Sequence, residues 1–141
     1  MRQLTSSALL KPAVVTASLG AGATNGPGVD CRGFERATLL VNVGVVPGDN
    51  TVTVKLQESS DNGAADAFAD VATATTGAIA AAGGSATYAI EINLSKRERY
   101  LRAVATGAGT TPAVPTSAVL VLHRSTTANM PATQDKTVVS V

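Results

Sequence analysis

Two neighbouring runs of alternating side chains limit this chain to a narrow set of folds. In residues 37–46, Leu39, Val41, Val43 and Val45 fall on one face and Thr38, Leu40, Asn42, Gly44 and Val46 on the other. A period of two over this length is the signature of a strand, and apolar residues on both faces predict partial cover of the second face. Val52, Val54 and Leu56 then alternate with Thr51, Thr53, Lys55 and Gln57, which reads as a strand with one apolar and one wet face. Between them stands Pro47-Gly48-Asp49-Asn50. Proline presets φ there, while Gly, Asp and Asn accept positive φ, so the segment is a turn. The two runs are expected to form a β-hairpin.

The same pattern returns along the chain. A short strand is expected within residues 67–73, because Phe68 needs burial and Val71 follows it at strand spacing. Tyr88, Ile90, Ile92 and Leu94 alternate with Ala89, Glu91 and Asn93. Leu101, Ala103 and Ala105 alternate with Tyr100, Arg102 and Val104. Residues 118–124 (AVLVLHR) are apolar on both faces until His123. Ser95 and Glu98 have the spacing of a capping box, too short to continue as a helix, so one turn is expected to carry the chain from one sheet to the other. Residues 75–86 (TTGAIAAAGGSA) are bracketed by glycines and predict a mobile loop. Strands at regular spacing, with turn signals between them, predict an all-β fold: a single β-sandwich, jelly-roll or Ig-like Greek key, of about six to eight antiparallel strands. Residues 1–28 are expected to form an extended N-terminal arm with a short strand at 13–18, residues 29–124 the sandwich core, and residues 125–141 a C-terminal arm.

Composition narrows what such a sandwich can do. The chain is 45% hydrophobic but only 3% aromatic and has no Trp, so its core must be built of small and β-branched side chains. These suit pleated surfaces, yet each buries less area than an aromatic ring, and association with other subunits would offset the thin margin. A net charge of +1 argues against a dedicated nucleic-acid binder. One cysteine forms no internal disulfide and implies no oxidising compartment. No apolar run is long enough to span a membrane as a helix. The patch Ala8-Leu9-Leu10, broken at Lys11-Pro12, is too short for a signal-peptide core, so synthesis and folding in the cytoplasm are expected.

Residues capable of chemistry are sparse and scattered. His123 is the only histidine, and no nucleophile or acid motif accompanies it to complete a catalytic set. Cys31 lies beside Arg32, which could lower its pKa, although a small half-buried residue at a strand entry is the plainer expectation. One His and one Cys leave a zinc site two ligands short. Residues 59–63 (SSDNG) offer oxygen ligands without the spacing of a calcium loop. The glycine-rich GAGATNGPG of residues 20–28 lacks the flanking strand, helix and lysine of a phosphate loop. No catalytic, cofactor or metal residue is therefore expected. The one concentration of charge is Lys96, Arg97, Arg99 and Arg102, read either as a solvated corner paired with Glu98 or as a docking patch for an acidic protein surface.

Three pieces in order carry a family resemblance: Gly26 followed by Val29-Asp30 and Gly33-Phe34; VGVVPGDNTVTVKLQESSDN at residues 43–62, with Phe68 and Val71 after it; and RYLRAVAT at residues 99–106. Together they resemble the small head-decoration, or cement, proteins of tailed bacteriophages over residues 25–124. The resemblance implies a structural virion protein without enzymatic activity or cofactor. Such a protein sits on the outside of an icosahedral head as a homotrimer and clamps neighbouring major capsid protein subunits, with no nucleic-acid or membrane partner. The alternative is a tail-associated or surface module that binds carbohydrate or a receptor; two Tyr, two Phe and no Trp leave little aromatic platform for it.

Overall fold

The alternating runs become two facing sheets in the computed structural model, which describes residues 8–110, 114–123 and 138–140. In chain order the strands are β1 (Ala8–Leu19), β2 (Gly22–Asn25), β3 (Val29–Asp30), β4 (Arg36–Val43), β5 (Thr51–Ser59), β6 (Ala69–Thr75), β7 (Ala86–Asn93), β8 (Tyr100–Ala108), β9 (Val114–His123) and β10 (Val138–Ser140). Sheet A has the order β1-β9-β4-β7-β10 and sheet B the order β2-β8-β5-β6, with β3 following β2 along the same edge of β8. The architecture is the expected all-β sandwich, with ten strands among the described residues where about six to eight were anticipated. Every ladder is antiparallel except the one between β10 and β7.

The core follows from the alternation. From sheet A, Ala37, Leu39, Val41 and Val43 point inward beside Ile90, Ile92, Ala118, Leu120 and Leu122. From sheet B, Val52, Val54 and Leu56 meet them beside Leu101, Ala103 and Ala105. Leu39, Val41, Val54 and Leu56 are all wholly excluded from water. At about 25 cal/mol per Å² of apolar surface, this burial is the main favourable contribution to folding.

The expected hairpin of β4 and β5 does not form. Its turn does: the Asn50 N–H donates to the Pro47 carbonyl at 3.1 Å, and Gly48 has φ +59°. But β4 pairs with β7 and β9, whereas β5 pairs with β6 and β8, so the connection crosses from sheet A to sheet B. Both strands carry apolar rows that need cover, and each covers the other across the core when they lie in opposite layers. The alternation also ends at Gly44, whose N–H donates to the Pro115 carbonyl at 2.7 Å. Val45 is thereby left 68% exposed, while Val46 plugs the core at 3%. Among the described strands, β5 and β6 are the only consecutive ones that pair with each other.

The N-terminal arm expected over residues 1–28 is, from Ala8 onward, part of the sandwich. β1 pairs along β9 from Ala8 to Leu19 with two bulges, and Ala13, Val14 and Leu19 are buried. After Gly20 the chain crosses to sheet B and lines the edge of β8 as β2 and β3. Gly26 makes this crossing tight. Its N–H donates to the Ala103 carbonyl at 2.8 Å, and a Cβ on it would overlap the Ala13 carbonyl oxygen, so only glycine lets the two sheets' edges approach here. The small residues of 18–28, poor as an isolated strand, are what this close approach requires. Of the C-terminal arm expected over residues 125–141, only β10 lies within the described residues, where it adds to β7.

Two further expectations are refined. The segment of residues 75–86 is pinned rather than loose: Ile79 is buried and exchanges two backbone hydrogen bonds with Val52, and the Tyr88 hydroxyl donates to the Gly83 carbonyl at 2.7 Å. The short turn between β7 and β8 does cross between sheets, as a 3₁₀ turn at Leu94–Lys96. Its cap is Asn93, whose side chain accepts from the Ser95 N–H at 3.0 Å, in place of the Ser95–Glu98 box.

Replacing Gly26 by Ala is expected to destabilise the fold by about 3 kcal/mol, the scale of forced overpacking. The check is the urea midpoint, which falls while the slope stays constant. Val45→Thr, at an exposed position, is expected to leave the midpoint within about 0.5 kcal/mol of wild type.

Candidate protein-contact corner

The four basic residues singled out in the sequence are brought to one end of sheet B, three of them into a corner. Lys96 ends the 3₁₀ turn, Arg97 and Arg99 follow it, and Arg102 stands on β8 among the outward-facing side chains of sheet B. The turn places them there because Leu94 is buried, anchoring the chain just before it leaves sheet A.

Three of the four are held by partners that sequence reading did not connect with them. Arg97 Nη1 lies 3.2 Å from Glu58 Oε1, and the other oxygen of Glu58 accepts the Glu98 N–H at 3.0 Å. Arg99 grips Asp30 with Nε at 3.1 and 3.2 Å from its two oxygens and Nη2 at 2.6 Å from Oδ2, a bidentate geometry. Its guanidinium also lies 4.8 Å from the Tyr100 ring centre. Arg102 donates through Nε to Gln57 Oε1 at 2.9 Å and stacks 4.2 Å from the Phe68 ring centre. Arg32 adds a looser contact to Asp30 at 3.6 Å. Lys96 is exposed and makes no ion pair among the described residues. The sequence offered no signal for Asp30 and Glu58: they lie 69 and 39 residues from Arg99 and Arg97, and only the pairing of β3 and β5 with β8 joins them.

Beside the corner the loop after β5 is hydrogen-bonded throughout. Buried Ser59 donates through Oγ to the Asp66 carbonyl and accepts the Gly63 N–H, both at 2.8 Å. The Asp61 carboxylate accepts the N–H groups of Ala65 at 2.7 Å and Ala64 at 2.9 Å, and these bonds, Ala65 foremost, hold its carboxyl below the usual range. Asp66 is held down likewise by the Ser60 N–H and hydroxyl. Glu98 is pushed up by desolvation and by sharing a hydrogen bond with Asp66 amid the charges of Asp66, Glu58 and Asp61. On β5 and β6, Asp70 is held low by Lys55 at 2.7 Å and by Gln57. These carboxylates are occupied in fastening loops, and no group of three or more His, Cys, Asp or Glu is placed to hold a metal among the described residues.

Cys31 behaves as a core residue. Burial pushes its thiol up to about 11, against the possibility that Arg32 lowers it; Arg32 is turned toward Asp30 instead. The thiol donates to the Val29 carbonyl at 3.4 Å. His123 sits at the end of β9, with Nε2 3.1 Å from the Thr38 hydroxyl. An open depression of about 350 Å³ lies next to the corner, floored by Cys31, Phe34 and Leu94 and edged by Arg32, Arg97 and Arg99. Chemically the corner offers guanidinium edges and a lysine to an acidic surface, with no activated nucleophile beside them.

No family model and no curated protein matches the chain. Among solved structures, the crystal structure of PBSX exported protein XepA aligns with a TM-score of 0.57 at 15% identity, over 97% of this chain and 43% of that one. The chain thus spans less than half the length of that neighbour. A structure of Bacillus endospore appendages, described as a novel family of disulfide-linked pili, aligns with a TM-score of 0.49 at 12% identity, over 84% of this chain and 88% of that one. At 15% identity the likeness to the first of these is one of fold.

Two outcomes follow from the titrating groups. In an NMR titration, Glu98 is expected to protonate above 4.5 and Asp61 and Asp66 below 3.8. On acidification the corner therefore first gains stability, as the strained Glu98 charge is neutralised, and then loses it as the loop's acceptors are protonated. For Cys31 the folded value lies above the unfolded one, so its contribution is present below pH 9.0 and is lost as pH rises toward 11. The difference corresponds to roughly 3 kcal/mol, and Cys31→Ala is expected to remove that part of the alkaline stability loss in denaturant titrations.

Proposed function

We propose that this protein is a structural component of a virion that seats on the outer surface of an icosahedral phage head. There it stabilises the expanded shell by bridging neighbouring major capsid protein subunits. The observation that carries the reading is where the three resembling sequence pieces lie in the fold. Within residues 25–34, 43–62 and 99–106, the strands β3, β5 and β8 come together in sheet B, while Val43 ends β4 in sheet A and residues 44–50 form the crossing; the Asp30–Arg99 and Glu58–Arg97 pairs fasten the sheet B strands at one end. Most strand residues of the resemblance therefore meet in one sheet.

The mechanism is mass action. A module that binds only the expanded shell lowers the free energy of that state by its binding energy. Docking uses the basic corner: exposed Lys96 and the unengaged N–H groups of Arg97 and Arg99 face an acidic patch on the capsid subunit, which sets register and association rate. Arg102 contributes through sheet B's outer surface. The role is non-enzymatic and needs no cofactor. The alternative of a carbohydrate- or receptor-binding module fits less well, because the faces of Phe68 and Tyr100 are occupied by Arg102 and Arg99 and are not free platforms for a sugar ring.

Electron cryomicroscopy of particles from the virus encoding this chain is expected to place it on the outer head surface; density at the tail, or none, removes the reading. In co-sedimentation, Lys96→Glu combined with Arg97→Glu is expected to weaken binding to expanded heads by about tenfold or more, with a salt dependence shallower than wild type.

A further inference from the structure

Asparagine loses its side-chain amide in water most readily when glycine follows it, because no Cβ keeps the glycine nitrogen from the side-chain carbonyl carbon. The chain has two such pairs, Asn25-Gly26 and Asn62-Gly63. They differ in what holds the attacking nitrogen. Asn25 ends β2 in register with Val104, and the Gly26 N–H donates to the Ala103 carbonyl at 2.8 Å. A Cβ on Gly26 would overlap the Ala13 carbonyl oxygen, so this backbone is wedged between the two sheets. Moving its nitrogen toward the Asn25 side chain would break the edge of sheet B. Asn62-Gly63 lies instead in the loop after β5, outside every described strand, and both residues are exposed. Asn62 has φ +65° and Gly63 φ +80°, conformations that these two residue types accept. The Gly63 N–H is held by a side chain, donating to Ser59 Oγ at 2.8 Å.

We infer that Asn62 is a site of spontaneous covalent modification, converted to aspartate and isoaspartate at a rate set by the Ser59 hydroxyl. The Gly63 nitrogen gives up its proton to solvent and attacks Asn62 Cγ. The N–Cγ bond forms, the Cγ–Nδ2 bond breaks, and the amide nitrogen takes up a proton and leaves as ammonia. One water molecule then opens the resulting cyclic imide at either carbonyl, giving aspartate or its isomer linked through the side chain; nothing is oxidised or reduced. Ser59 opposes the first step, because the Gly63 N–H must leave Oγ before the nitrogen can attack. The hydroxyl is itself anchored: Ser59 is wholly withdrawn from water and donates to the Asp66 carbonyl at 2.8 Å. Either product carries a new carboxylate and so cancels the chain's net charge of +1. Three carboxylates then stand within residues 61–66 and repel one another, which loosens the loop beside the basic corner. The inference does not rest on the head-surface reading.

Peptide mapping by mass spectrometry of the full chain, aged in mildly alkaline buffer, tests it. In the folded wild type the mass gain of an amide-to-carboxyl exchange is expected at Asn62 and not at Asn25. In urea, where neither glycine nitrogen is held, both pairs are expected to convert at similar rates, and Asn62 faster than in the folded chain. Ser59→Ala is expected to speed conversion of Asn62 by about tenfold, the equilibrium weight of one hydrogen bond, with Asn25 still intact. Asn25 thus reports on folding within the same molecule. Should it convert alongside Asn62 in this variant, the variant has unfolded, and the folded-against-urea comparison of wild type decides alone. Asn62→Asp is expected to speed hydrogen exchange at the Ala64 and Ala65 N–H groups, which the Asp61 carboxylate accepts; unchanged exchange removes the loosening. Conversion of Asn25 ahead of Asn62 in the folded chain, an intact Asn62 when the urea-unfolded chain has converted fully, or a folded Ser59→Ala variant that reacts no faster than wild type would each overturn the inference.

Discussion

The structure depends on the apolar layer between the two sheets, into which β4 and β5 bury rows from opposite sides. Leu39 and Val41 on one side and Val54 and Leu56 on the other are completely withdrawn from water. Side chains of this size bury less area apiece than aromatics, so the chain compensates by number and regularity: nearly every second residue of four central strands reaches the same layer. Such a layer tolerates little misplacement, because a one-residue slip would turn the whole apolar row outward. Everything near the edges serves to keep these strands in register.

The edges are managed by the N-terminal third of the chain. β1 covers β9 in sheet A, the chain crosses at Gly20, and β2 and β3 cover β8 in sheet B. The cover is close enough that Gly26 has no room for a side chain. The same economy governs the charged groups. Asp30, Glu58, Asp61, Asp66 and Asp70 each fasten a loop, a turn or a neighbouring strand. A sandwich with a lightly built core thus gains rigidity at its ends from hydrogen bonds to carboxylates rather than from further apolar burial.

This division of labour fits the proposed role of holding neighbouring capsid subunits in place. Sheet B ends in a fastened, basic corner, while the outward rows of sheet A hold half-buried Leu40, Val119 and Val121 beside buried Thr38 and Ala89.

Strand positions were legible because alternation is a local property: β4, β5, β7, β8 and β9 could be read from period-two patterns, and the turn at Pro47-Gly48-Asp49-Asn50 formed as its residues require. The basic corner was legible as a cluster in sequence for the same reason. Alternation says that a face is buried but not against what, and so β4 and β5, adjacent in the chain, were expected to pair as a hairpin and instead lie in opposite sheets. The run of small residues from Ser18 to Gly28 looked structureless because Gly26 answers to Ala103 and Gly28 to Asn62 and Phe68, which lie far away along the chain. Asp30 and Glu58 were likewise invisible as partners of Arg99 and Arg97. By itself, then, the sequence determined an all-β chain with a small-residue core and one basic corner. The layer each strand joins, the docking of residues 8–30 and the pairing of the corner's charges were decided only by the tertiary structure, because each depends on residues brought together by the packing of two sheets rather than by their neighbours in the chain.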